Sequence, residues 1–136
     1  MWELFLLSSP ELTNALLIKI MVLMPVIILG CHYIGDYVFQ PTHMAIAKAT
    51  DLRVLLFHCV IYAAVFFIFV GPLFAALTLV AHLLVDVFTS RMRKNLCPRR
   101  DNYKFHLISG FDQCAHIGLL FYTFWLELII LSTFLE

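Results

Sequence analysis

Four long apolar runs, broken by short polar stretches, set the layout of the chain, at about 16–37, 52–70, 73–88 and 111–134. A helix needs ~20 mostly apolar residues to cross the hydrocarbon core of a bilayer. The pattern therefore predicts an all-α integral membrane bundle of about four transmembrane helices, forming one domain over residues 1–136. Gly71 and Pro72 separate the second run from the third and predict a tight hairpin turn there. With 16 residues the third run is short for a span, which a turn buried near the interface or local thinning of the bilayer would accommodate.

Composition excludes a soluble domain. Of 136 residues 62% are hydrophobic and 13% charged, and the mean hydropathy is +0.94, whereas soluble domains average roughly 25% charged residues. Glu3 and Glu11 precede the first run with no basic cluster, and no small-residue cleavage signature follows, so the first helix is expected to be retained. Cys31, Cys59, Cys97 and Cys114 show no disulfide-scaffold spacing and are expected as reduced thiols.

Charge orients the bundle. Arg91, Arg93, Lys94, Arg99, Arg100 and Lys104 lie between the third and fourth runs, and Lys48 and Arg53 between the first and second. By the positive-inside rule both basic loops are cytoplasmic and both termini lie outside. The stretch from Arg91 to Lys94 continues directly from the third run and is expected to form a short interfacial helix that Pro98 ends. Its simplest role is to set topology while touching anionic lipid.

Set into this apolar background are His32, Asp36, His58, His82, Asp86, Asp112 and His116. Six of the seven form three His/Asp pairs four residues apart, a spacing that puts both side chains on one helix face about 6 Å apart. Chance placement of this composition gives about 0.4 such pairs. In an up-down-up-down bundle the ends of odd helices and the starts of even ones share a side, and that alternation places all seven at the inner face. Ionisable groups at membrane depth cost ~2.5 to 3.5 kcal/mol each at a helix centre, so they normally pair inward and mark function. Asp36 and Asp86 also fall near helix C-termini, where the macrodipole disfavours an anion by ~0.3 to 1 kcal/mol. A divalent cation would compensate them. Four imidazoles and three carboxylates suit zinc foremost, with manganese or iron as alternatives, in one site or two adjacent ones. Cys31 and Cys59 adjoin His32 and His58 and are turned ~100° from them on a helix, so they are not expected as ligands.

Each residue also has a plainer reading. Ser109 and Asp112 form an S-x-x-D arrangement resembling a cap for the fourth helix. Asp36 or Asp86 could pair with Lys48, Arg53 or Arg91 in an interfacial salt-bridge network. Gln40, one turn beyond Asp36, and Gln113, beside Asp112, are candidates for supporting the site or touching a substrate. His43 and His106 sit in polar connections and are expected to be solvated, whereas Glu127 stands alone deep in the fourth run and could meet a neighbouring copy of the chain.

The order H-Y-I-G-D-Y-V-F-Q (His32 to Gln40), Lys48, F-H (Phe57, His58), I-Y (Ile61, Tyr62), H-L-L-V-D (His82 to Asp86) and F-D-Q-C-A-H (Phe111 to His116) resembles domain of unknown function 3307, a family of small bacterial and phage membrane proteins. The likeness runs from about residue 30 to 118 and is specific in combination. That family is distantly similar to membrane-bound metal-dependent hydrolases. The resemblance implies ligand roles for His32, Asp36, His58, His82, Asp86, Asp112 and His116, and a place in a bacterial inner membrane.

The leading functional expectation is a metal-dependent hydrolase at the inner leaflet, acting on a phosphate-bearing lipid or another anionic substrate. Asp112 is the expected general base, Arg91, Arg93, Arg99 and Arg100 are expected to hold an anionic headgroup or a nucleotide, and Lys48 is expected to support the site or touch a substrate. A metal or proton transporter is the alternative, and a non-enzymatic interaction protein locked by a metal or salt-bridge cluster is another. Membrane lipids, an anionic substrate and a second copy of the chain are the expected partners; nucleic acid is not.

Overall fold

The computed structural model describes residues 10–96 and 102–134, and the chain is helical almost throughout them. Helix α1 (Pro10–Tyr33) passes without a break into a π-helical turn over Ile34–Val38. A short α2 (Thr42–Ala47) follows, then α3 (Leu52–Phe69), α4 (Pro72–Leu96) and α5 (Asn102–Phe134). Four segments are long and apolar enough to cross a membrane: Met21–Val38, Leu52–Phe69, Pro72–Leu96 and Tyr103–Phe134. This is an integral membrane protein.

Local chemistry explains the boundaries. Pro41 is held in an extended conformation before α2, and Asp51 caps α3 by accepting a 2.8 Å hydrogen bond from the backbone N–H of Arg53. Gly71 adopts φ +143°, a conformation that favours glycine, which lets α3 turn back into Pro72 at the first position of α4. Pro25 sits inside α1, as membrane helices tolerate.

Two expectations from the hydropathy pattern are corrected. The third apolar run of 16 residues belongs to a helix of 25 residues, about 37 Å long at 1.5 Å per residue. No thinning of the bilayer is needed, because the polar stretch beyond Phe88, including Arg91, Arg93 and Lys94, continues the same helix. The last helix likewise begins at Asn102, so Asp112 stands about three turns inside it and caps nothing.

Helices α4 and α5 pack along each other, α3 packs on α4, and α1 closes the bundle against α3 and α5. The packing is inverted relative to a soluble bundle. Large apolar side chains such as Met21, Phe67, Leu84, Tyr122 and Trp125 point outward, while histidines, aspartates and a lysine are buried. In hydrocarbon that is the favourable arrangement, since polar groups find partners only inside the protein. An apolar cluster that includes Ile28, Val65, Phe66, Phe74 and Leu120 fills the bundle beside the polar centre.

Tyr62 links the two regions. Its ring packs against Phe66 and stacks on His82 with centroids 3.7 Å apart. Gly35 lies against it so closely that an added Cβ would stand 2.7 Å from Tyr62 Cδ2. Held by both neighbours, Tyr62 has nowhere to retreat. Gly35→Ala is expected to cost about 1–3 kcal/mol by overpacking, seen as a lowered unfolding midpoint in detergent. An unchanged midpoint would show that the ring is free to move.

Candidate metal centre

Every membrane-spanning helix contributes to one polar cluster. α1 carries His32 in its last turn and the π-helical turn carries Asp36; α3 supplies His58, α4 supplies His82 and Asp86, and α5 supplies Asp112 and His116. All seven are between 0% and 6% exposed. The i, i+4 spacing brings His82 Nε2 to 3.4 Å from Asp86 Oδ2 and His116 Nδ1 to 3.6 Å from Asp112 Oδ1.

The tightest convergence surrounds His58 Nε2. Gln40 Nε2 lies 2.9 Å from it, His82 Nε2 3.0 Å, Asp36 Oδ1 3.3 Å and Asp86 Oδ2 3.4 Å. One imidazole nitrogen makes one good hydrogen bond, so four polar neighbours at this range exceed what hydrogen bonding uses. Nitrogen and oxygen ligands ~2.0–2.1 Å from a tetrahedral cation lie ~3.3–3.4 Å from each other, close to the separations seen. Asp36, His58 and His82 form one group whose ligand atoms all lie within 4.8 Å of one another. Asp36 Oδ1 is buried and has no hydrogen-bond partner among the described residues. These three residues fit a divalent ion.

Asp86 faces two ways. Its Oδ2 looks toward His58 and His82, and its Oδ1 lies 4.0 Å from His116 Nε2. Asp86, Asp112 and His116 make a second group with ligand spacing, and Cys59, His82 and Asp86 make a third. Cys59, set aside from the sequence, is therefore near the centre: the ~100° turn from His58 points it at α4 rather than away.

Charge distinguishes these groups. Lys48, 4% exposed, donates to both oxygens of Asp86 at 2.9 and 2.8 Å. Asp112 accepts from Thr89 Oγ1 at 2.5 Å and from Arg93 at 3.0 Å. Two of the three aspartates are thus compensated by cations from the chain itself. Asp36 forms no ion pair with a lysine or arginine among the described residues.

His32 is brought into the cluster with both ring nitrogens occupied, and it belongs to none of the ligand groups. A carboxylate only accepts, so the Gln113 amide nitrogen donates to Asp36 Oδ2 at 3.1 Å. That orients Gln113 Oε1 toward His32 Nε2–H at 3.0 Å and leaves His32 Nδ1 to accept from the Tyr62 hydroxyl at 2.9 Å. Tyr62, His32, Gln113 and Asp36 form one relay that orients the carboxylate. The same logic fixes His116: its Nδ1 donates to the Asp112 carbonyl at 2.9 Å, so Nε2 carries the lone pair, buried and without a partner among the described residues. A cavity of about 10 Å³, the size of one water, is lined by Tyr62, Thr78, His82 and His116. The Nδ1 atoms of His58 and His82 are buried without partners among the described residues, so neither ring has there the second hydrogen bond that commonly orients a ligating histidine. Stacking on Tyr62 holds His82 instead.

Arg91 and Lys94 lie on the exposed side of α4, and Arg93 turns inward to Asp112. Arg99 and Arg100 lie outside the described residues, as does Cys97. His43 and His106 are exposed, as expected. Glu127 faces the backbone N–H of Phe74 in the first turn of α4, where the positive end of the helix dipole suits it. Sequence reasoning gave no role to Tyr62 or Thr89. Their signal was spacing: Tyr62 follows His58 by four residues and Thr89 follows Asp86 by three, each on the face of the site residue.

Fold and site together define a small four-span membrane protein with a buried His/Asp centre. The chain belongs to the family described as Protein of unknown function (DUF3307), whose model matches residues 22–135. No curated protein and no solved structure matches it.

Proposed function

We propose that this protein is a metal-dependent hydrolase, with a divalent ion, zinc foremost, held by Asp36, His58 and His82, and with a phosphate-bearing lipid or other anionic molecule as its substrate. The observation that carries the reading is the unpartnered Asp36 Oδ1, 3.3 Å from His58 Nε2, which in turn lies 3.0 Å from His82 Nε2. When bound, such an ion supplies a Lewis acid for a phosphoryl or acyl oxygen and makes water acidic enough to attack near neutral pH.

The chain's own groups then divide the work. The Tyr62–His32–Gln113 relay fixes the rotamer of Asp36. His116 presents a bare Nε2 and is better suited to take a proton than Asp112, whose oxygens are held by Thr89 and Arg93. Arg93 and Lys48 neutralise the remaining carboxylates, so that an anionic substrate does not meet a net negative centre. The basic end of the bundle is proposed to be cytoplasmic, in a bacterial inner membrane, with both termini outside.

Transport fits less well, because Ile28, Phe66, Phe74 and Leu120 fill the bundle beside the centre with apolar side chains. A salt-bridge lock with no catalytic role is favoured by the Lys48–Asp86 and Arg93–Asp112 pairs. One experiment separates that reading from hydrolysis. Protein purified in mild detergent is expected to carry about one equivalent of divalent metal and to cleave a chromogenic phosphodiester or dioctanoyl phosphatidate, with loss of activity on chelation and recovery on adding zinc or manganese. Metal-free protein with unaltered stability and no recoverable activity establishes the lock.

A further inference from the structure

Between the loop that joins α2 to α3 and the last turns of α4 lies a cavity of about 160 Å³, separate from the ligand groups. Lys48, Thr50, Arg91 and Lys94 form its polar side, and Leu55 and Val87 contribute to its apolar wall. Val87, Arg91 and Lys94 recur at helical spacing and present one face of α4 to it. Among the described residues, three of those lining it are cations and none is an acid. Neither Arg91 nor Lys94 is paired with a carboxylate among the described residues.

Lys48 belongs to both places. An ammonium has three N–H donors; two go to Asp86, and the third has no partner among the described residues. On the measure by which the smaller cavity holds one water, this one is about 160 Å³ against about 10 Å³, room for a phosphate group and the start of its ester. The apolar wall suits a substrate whose remainder lies in the bilayer.

We propose that this cavity is the phosphate-binding subsite of the centre, where Arg91, Lys94 and the third Lys48 N–H hold the phosphate of an anionic substrate. Its role as a substrate subsite rests on the hydrolase reading; the binding of phosphate there does not. Bidentate arginine and a flanking ammonium are the usual protein answer to this anion. Lys48 is a positioning residue here, since it couples the occupant of the cavity to the Asp86 carboxylate.

The test titrates the full chain in neutral-detergent micelles with dioctanoyl phosphatidate, with inorganic phosphate and with dioctanoyl phosphatidylcholine, counting bound ligand and bound metal separately. Saturable binding of about one phosphatidate per chain is expected, weakened at least about ten-fold in the Arg91→Gln, Lys94→Gln double variant, with metal content and unfolding midpoint unchanged. Competition by inorganic phosphate identifies the free anion as sufficient; saturation by phosphatidate alone identifies a lipid headgroup; both uphold the subsite. Equal binding of phosphatidylcholine, or wild-type affinity in the double variant, overturns it. Wild-type protein that binds phosphatidate but holds no metal overturns the hydrolase reading and leaves the anion site standing.

Discussion

Replacing Lys48 with methionine is expected to lower stability by about 3–5 kcal/mol, the cost of leaving one partner of a buried ion pair uncompensated. Asp86 is fully buried, and Lys48 is its only lysine or arginine partner among the described residues, donating to both carboxylate oxygens. The neighbouring histidines His58 and His82 lie 3.4 Å from Asp86 Oδ2 and would have to take a proton to replace the lysine. A second variant separates charge from packing. Lys48→Met combined with Asp86→Asn removes both members of the pair and is expected to recover most of the loss. Unfolding in detergent, followed by circular dichroism for wild type, both single variants and the double, gives the complete cycle. A Lys48→Met protein that unfolds at the wild-type midpoint would mean that Asp86 is compensated from elsewhere.

Asp36→Asn is expected to move metal affinity and stability in opposite directions. The amide keeps the shape of the side chain and still accepts from Gln113, but it loses the charge and a ligand oxygen. Binding of a zinc-like ion in a four-ligand site is worth about 10–16 kcal/mol, so each ligand accounts for roughly 3 kcal/mol, or about 10²-fold in affinity. Metal-free protein is expected to gain about 1–3 kcal/mol, because a buried carboxylate oxygen without a partner is removed. That opposition is the signature of a site kept for function at a cost to stability. Metal titration by calorimetry, set beside unfolding of the metal-free form, reads both quantities. Wild-type affinity in this variant would remove Asp36 from the ligand set.

The four spans and the convergence of the His/Asp residues were legible because both rest on periodicity. Hydropathy marks what faces lipid, and a spacing of four marks what shares a face. Partners across helices carry no such mark. His32 and His58 look equivalent in the sequence, yet His32 is used up between Tyr62 and Gln113, whereas His58 stands at the meeting point of four polar atoms. Lys48 read as one of three cations that could pair with Asp36 or Asp86, and only the packing of the α2–α3 connection against α4 selects it and turns it inward onto Asp86. The π-helical turn was invisible for a different reason. One wide turn leaves the apolar run unbroken, although it changes which neighbours Asp36 meets. The ends of α4 and α5 were misread because hydropathy follows the bilayer, and these helices continue past it on arginine, lysine and asparagine.

The Lys48–Asp86 pair also bears on how the protein is made. Its two members are 38 residues apart in the chain, so Lys48 leaves the ribosome well before its carboxylate does. Until α4 has followed α3 into the bilayer, the lysine has to wait at the aqueous edge, and α4 has to carry an aspartate that no partner yet screens. The hairpin of α3 and α4, turned at Gly71, together with the α2–α3 connection that carries Lys48, is then the smallest unit that can be released sideways into lipid with this pair matched. Insertion of these spans one at a time is disfavoured by the same electrostatics that holds the finished bundle together.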